Sequence, residues 1–397
     1  MTRTQPVNDF NVFINFLSEN RENYADMLSK SPYCVNSKPV PYNPNWVMFK
    51  YSQFESDFTN PIVRCARGSV FEITKDAVKP ICLPFYKFAN YGEAGEDIIN
   101  WSKALVELKV DGNLIKAVKH DGKIYFFTNG GFVENEIACS VPSKYDEKET
   151  EHCRTYKDLI DYAFYKNSDG KWIDGVPDET TMMFELTGPH NRIIVEYEHT
   201  QLWFLGARDN VSMKEYDREE FKKNYSVPFD VPPVLDVHDI DNVVKTLSSW
   251  GGDKEGVVIV DDSFRRIKIK SDAYRKLKFV KGEGNFSEKS IFNFIMDGSI
   301  DDALSAYPAI KSSVENIEKN IISWKQSQKD IINEGYNKYI SFAGDEKQKR
   351  KQLAQWAKDS PDFHTIMLCL ASNDAKEKFF NSFSYEEYKN IFKSKEQ

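Results

Sequence analysis

Lys109 stands in the string Val106-Glu107-Leu108-Lys109-Val110-Asp111-Gly112-Asn113-Leu114. A lysine is a nucleophile only as the neutral amine, so its ordinary pKa of about 10.4 must be overcome by burial or by nearby positive charge. Lys268 and Lys270 offer that charge: two residues apart in a strand-like run, they share one face and could also neutralise a phosphate. Two carboxylates have matching settings. Glu185 ends an apolar run (Phe184-Glu185-Leu186-Thr187-Gly188), and Glu255 precedes Gly256-Val257-Val258. Alone, the Lys-x-Asp-Gly string is as readily a surface lysine beside a turn. The six histidines show no ligand spacing and read as structural or surface residues.

The order of these pieces carries more than any one of them. Lys109-Val110-Asp111-Gly112 is followed by Phe184 to Ile193, by Glu255-Gly256-Val257-Val258, and by Arg266-Ile267-Lys268-Ile269-Lys270-Ser271-Asp272-Ala273-Tyr274. Upstream lie Arg64-Cys65-Ala66-Arg67-Gly68 and Pro84-Phe85-Tyr86-Lys87-Phe88, and downstream Phe294 to Asp302. This series resembles that of the covalent nucleotidyltransferases, which include DNA ligases, RNA ligases and capping enzymes. Within them it resembles most the tRNA-repairing RNA ligases of T-even bacteriophages, over most of the chain. The resemblance implies a nucleotidyltransferase (ATP-grasp-like ligase) domain using ATP and Mg2+ or Mn2+. Lys109 would carry AMP, with Asp111 and Gly112 as motif support. Tyr51, Arg67, Lys87, Glu185, Lys268, Lys270 and Tyr274 would bind ATP, Glu185 through the ribose hydroxyls. Glu255 and Asp301 would serve the metal. Its partner would be RNA, in particular nicked tRNA, after a kinase-phosphatase has healed the ends, in the cytoplasm of an infected bacterium if the source is viral.

Each residue also has a plainer reading. Glu185 and Glu255 could be solvent-facing strand ends, Lys268 and Lys270 the wet face of an edge strand, and Tyr51 and Tyr274 packed aromatics. Two positions depart from the phage pattern. Phe127-Thr128-Asn129-Gly130-Gly131 lacks a lysine expected just before Gly130, and Leu83 replaces an arginine. Lys116, Lys119 and Lys123, on the same hairpin, are candidate substitutes. Leu114, where DNA ligases and capping enzymes carry arginine, and a helical rather than β-rich tail favour RNA over DNA as the joined polymer. A non-sealing homologue that only binds RNA ends, or a DNA ligase, are the alternatives.

The elements that must position these residues read as an α+β fold: a domain with antiparallel sheets over 1–280, then a smaller all-α domain over 286–397, which would grip RNA. The spacing predicts an opening helix capped by Asn8 or Asp9, with Phe10, Phe13, Ile14 and Leu17 inward, and strand text after Pro39, Pro41 and Pro44. It predicts a hairpin over 114–128 turning at Asp121-Gly122, and strands at 182–187, 193–197 and 201–206. A helix from Asp239 to Trp250 and a hairpin over 255–270 follow. Residues 281–285 read as a linker. Beyond it come helices opened by Ser287, by Ser299 with Asp302 and by Ser384 with Glu387, and a longer one marked by Val314, Ile317, Ile321 and Trp324.

Composition sets the bounds. A chain of 397 residues suits two domains, and 41% hydrophobic content with 14% aromatics is enough for real cores. A net charge of −8 excludes coating nucleic acid by bulk positive charge, but not a local basic groove. Six scattered cysteines without a Cys-x-x-Cys pair point to reduced thiols, and no apolar run reaches membrane-spanning length. A soluble intracellular protein is the expectation.

Overall fold

The computed structural model describes residues 6–53, 55–93, 95–133, 155–165, 170–281, 287–296, 298, 300, 304 and 310–392. The chain divides into two compact units, Met1–Lys281 and Gly282–Gln397.

The described strands of the first unit are β1 (Val35–Val40), β2 (Asn43–Tyr51), β3 (Arg67–Ile73), β4 (Val78–Cys82), β5 (Leu105–Lys109), β6 (Asn113–His120), β7 (Lys123–Phe127), β8 (Thr180–Thr187), β9 (Gln201–Asp209), β10 (Val234–Leu235), β11 (Gly256–Val260) and β12 (Arg266–Lys270). They make three four-stranded sheets, ordered β1-β2-β3-β4, β7-β6-β8-β9 and β10-β5-β11-β12, and every strand pairing is antiparallel. The β6–β7 hairpin turns at Asp121 (φ 48°) and Gly122 (φ 70°), the left-handed pair that matches strand twist. Pro39 lies within β1 rather than before the first strand. An edge strand tolerates it, because one side of the strand has no ladder to supply.

Helix α1 (Pro6–Glu19) buries Phe10, Phe13 and Leu17, and the Phe13 ring meets Phe49 and Phe71 edge-on at 5.0 and 5.2 Å. Its described part already includes Asn8 and Asp9, the expected caps. Asp9 therefore sits inside the helix and pairs with Arg64 at 3.6 Å. The short helices α2 (Tyr24–Leu28), α3 (Pro61–Cys65), α4 (Tyr156–Tyr165) and α5 (Arg218–Asn224) follow, then α6 (Ile240–Ser248), capped by Asp239, and α7 (Asp272–Lys281). Residues 193–197 are a loop, not a strand. Their backbone N–H groups at Ile194 and Val195 are taken by the Asp111 carboxylate instead of a neighbouring strand.

The second unit is helical throughout its described residues: α8 (Glu288–Met296), α9 (Lys311–Ser341), α10 (Glu346–Ala357), α11 (Phe363–Met367), α12 (Asn373–Asn381) and α13 (Tyr385–Phe392). Ser287 accepts from Ser290 N at 3.1 Å to start α8, and Ser384 and Glu387 form the reciprocal cap of α13. Val314, Ile317, Ile321 and Trp324 are the buried stripe of α9, with Trp324 stacked on Phe383 at 3.7 Å. Residues 282–285 and the helix start expected at Ser299 with Asp302 lie outside the described residues. The described cysteines (Cys34, Cys65, Cys82, Cys369) are free, and no described helix is long and apolar enough to cross a membrane.

Candidate active site: a lysine–carboxylate cluster on one sheet face

Register brings the chemistry together. β11 pairs with β5 so that Gly256 faces Lys109, and with β12 so that Gly256 also faces Lys270. One rung thus holds Lys109, Gly256 and Lys270 side by side. Two residues on, Glu107, Val258 and Lys268 form the next rung with the same facing. Gly256 is required in the first: a Cβ there would lie 2.0 Å from the Ile269 carbonyl oxygen and 2.7 Å from Lys270 Cα. The residue before it, Glu255, is buried and receives both lysines. Lys109 Nζ donates to Oε2 at 2.7 Å, and Lys270 Nζ lies 3.1 Å from Oε1. Burial would raise the Glu255 pKa, but the two ammonium groups outweigh it and hold the carboxyl below its ordinary range. The expected role of Lys268 and Lys270 as pure repellers of a charged Lys109 is therefore modified, because an anion sits between them.

The sheet face fronts a cavity of about 800 Å³ whose walls include Lys109, Arg67, Glu185, Lys268, Lys270 and Asn129. Lys268 is part-buried in the cavity wall, and burial followed by the charges of Lys270 and Arg67 lowers its pKa to about 7. Glu185, paired across the sheet with Leu114, moves the other way. Burial, with Glu255 and Asp111 adding and Lys109 and Arg67 opposing, raises its pKa to about 7. Arg67 and Lys268 flank the Phe88 ring at 5.5 and 5.8 Å from its centroid, an electron-rich face between two cations. Phe88 was visible in the Pro84 segment, and only its position beside Lys87 marked it.

Asp111 and Gly112 place the loop after Lys109. Buried Asp111 accepts from Ile194 N (2.9 Å) and Val195 N (2.8 Å) through Oδ2, and from the Tyr274 hydroxyl (2.7 Å) through Oδ1. Gly112 runs so close to β8 that a Cβ would meet the Leu186 oxygen at 2.2 Å. Tyr274 is thus brought to the loop after Lys109 rather than to the cavity wall. Tyr51 and Lys87 gather elsewhere: the Lys87 ammonium is 3.1 Å from the Phe58 ring centroid and 5.5 Å from that of Tyr51, and neither residue lines the cavity. Asp301 lies outside the described residues.

The two departures noted in the sequence have structural settings. Leu83 is fully buried in the apolar cluster beneath α1, where an arginine would need a partner. Of the candidate substitutes for the absent lysine, Lys119 is spent on the carbonyls of Ile173, Asp174 and Val176, and exposed Lys123 stands at the hairpin's far end. Lys116 alone reaches the cavity's margin, at Gly68 and Asn129. Glu215 and Arg266 also line the cavity, and Glu215 accepts from both Arg208 and Arg266, which ties down the start of β12.

A family model described as RNA ligase matches residues 65–279. Among curated proteins, a provisionally named bifunctional polynucleotide kinase/RNA ligase of Autographa californica nuclear polyhedrosis virus is 27% identical over 288 residues, covering 68% of this chain and 38% of that one. A provisionally named RNA ligase of Thermovibrio ammonificans is 23% identical over 265 residues, 64% of each. The match thus spans less than two thirds of either relative. Among solved structures, an archaeal ATP-dependent RNA ligase aligns over 70% of this chain and 73% of its own (TM-score 0.38, 15% identity). An RNA ligase of Naegleria gruberi, solved with AMP and Mn, aligns over 44% and 52% (TM-score 0.34, 13% identity).

Proposed function

Because the chain belongs to the RNA ligase family, we propose that it joins RNA 5′-phosphate and 3′-hydroxyl ends at the expense of ATP, through AMP carried on Lys109. The observation that carries this reading is the rung of Lys109, Gly256 and Lys270 closed by Glu255, facing a cavity of nucleotide size.

The Lys109 amine, once it has lost its proton, attacks the α-phosphorus of ATP. A P–N bond forms, and the P–O bond to pyrophosphate breaks. AMP then passes to the RNA 5′-phosphate, and the 3′-hydroxyl displaces it as the strand is sealed. Glu255 at 2.7 Å orients the amine. Its lowered pKa makes it a poor final proton acceptor, so its part is orientation. Lys268, Lys270 and Arg67 offer positive charge to the phosphates, and Glu185 accepts hydrogen bonds from the ribose hydroxyls. The carboxyl group of Glu255 offers the hard oxygen donors that Mg2+ or Mn2+ takes. A divalent ion held there would supply charge neutralisation on the departing pyrophosphate.

Nicked tRNA is the proposed substrate, gripped by the helical unit through shape and phosphate contacts. The kinase in the name of the viral relative supports a preceding healing step that leaves a 5′-phosphate. Labelled ATP with magnesium should leave label on the wild-type protein and none on Lys109→Ala. An unlabelled wild type, or a labelled variant, overturns the mechanism. Supplying nicked tRNA, single-stranded RNA and nicked DNA then ranks the polymers, and faster sealing of DNA would reject the RNA assignment. Asn129 in place of the expected lysine favours one other reading, RNA-end binding without sealing, which predicts binding but no joined product at any enzyme concentration.

A further inference from the structure

Lys116 is a fully buried lysine on β6, paired with Phe127 at the root of the loop Thr128–Gly131. An ammonium in such a place needs acceptors. It finds the Gly68 carbonyl at 2.9 Å and Asn129 Oδ1 at 3.5 Å. The three segments meet tightly. Gly68 has φ 74°, and a Cβ there would lie 2.4 Å from Lys116 Nζ and 3.1 Å from Asn129 Cα. The loop is closed by Thr128 N donating to Gly131 O and by Thr128 Oγ1 accepting from Gly130 N and Gly131 N. Gly68 follows Arg67, and both Arg67 and Asn129 line the cavity.

The chemistry of the carboxamide fixes its orientation. An ammonium only donates, so the atom of Asn129 facing Lys116 must be the oxygen. The amide nitrogen, with two N–H donors, is not engaged by Lys116, and Asn129 lines the cavity together with Arg67. We propose that Asn129 is a phosphate-binding residue of this cavity, and that Lys116 is the positioning residue that holds its N–H2 group toward the ligand. A neutral donor thereby stands where the resemblance expects a charged one, with the charge moved one layer inward. The ligand class is a phosphoryl group, and two sources share that chemistry: the polyphosphate of ATP and the 5′-phosphate of RNA. The choice between these sources rests on the ligase reading; the phosphate site itself does not.

Asn129→Asp separates a ligand role from a structural one. The new carboxylate pairs with Lys116, so the loop stays tied and Tm should hold or rise, yet the cavity loses its donor and gains a repelling charge. Binding is measured by calorimetry with inorganic pyrophosphate, with 5′-phosphorylated oligoribonucleotide and with its 5′-hydroxyl counterpart. Asn129→Asp should weaken one or both phosphate probes at least tenfold and leave the 5′-hydroxyl RNA unchanged. Loss for pyrophosphate alone assigns the site to ATP, and loss for the phosphorylated RNA alone assigns it to the 5′-end. Lys116→Met should weaken the same probe in the wild type but have no further effect on it in Asn129→Ala. Equal affinities in wild type and Asn129→Asp overturn the proposal, as does a wild type that binds neither phosphate probe. A wild type that binds them but forms no adduct with ATP sinks the ligase mechanism and leaves the phosphate site standing.

Discussion

Replacing Asp111 with alanine removes three hydrogen bonds at once, two from the buried N–H groups of Ile194 and Val195 and one from the Tyr274 hydroxyl. Each backbone donor stranded in the interior costs about 1–3 kcal/mol, and the hydroxyl adds about 1 kcal/mol. Part of this relaxes by water entry, which leaves a loss of roughly 4 kcal/mol. At about 2 °C per kcal/mol for a unit of this size, the Tm should fall by roughly 8 °C. Asparagine behaves differently. Its oxygen still accepts both N–H groups and its amide donates to the tyrosine oxygen, so Asp111→Asn should lose only about 1–2 kcal/mol of charge assistance. Activity should follow the same order, because the residue acts by holding the loop that starts at Lys109. A displacement near 1 Å costs on the order of 100-fold in rate. Thermal unfolding together with the rate of label transfer from ATP decides the matter. If Asp111→Asn is as inactive as Asp111→Ala while keeping its Tm, the carboxylate takes part in the chemistry and the positioning argument fails.

Gly256→Ala should lower the Tm and lower adduct formation by roughly 100-fold, because its Cβ, 2.0 Å from the Ile269 oxygen, must push β12 away from β11; an adduct rate within threefold of wild type, measured with labelled ATP, would refute the rung as the site's frame. Lys268 has a pKa lowered to about 7 in the ligand-free protein, so it is charged below and neutral above that pH. Pyrophosphate affinity of the wild type relative to Lys268→Arg should therefore decline as pH rises past 7, since arginine keeps its charge throughout; calorimetric titrations from pH 6 to 9 with a constant ratio would reject that ionisation.

Much of the fold could be read locally because its signals are local. The turn at Asp121-Gly122 fixes a hairpin by backbone conformation alone, and the reciprocal cap of Ser384 and Glu387 needs only three intervening bonds' worth of helix. The loop at 193–197 failed for the same reason in reverse. Ile193, Ile194 and Val195 have strand chemistry, but a carboxylate 83 residues earlier in the chain, Asp111, claims the N–H of Ile194.

The site was legible as a set of residues and not as an arrangement. Spacing alone put Lys268 and Lys270 on one face, but nothing local places Lys109 opposite Gly256, which is a matter of register between strands far apart in sequence. That register makes Glu255 a shared anion for two lysines, and so converts what looked like a cluster of repelling cations into an ion-paired triad. The consequence is physical. The Lys109 Nζ, 2.7 Å from the buried Glu255 carboxylate, is held in one orientation by that contact.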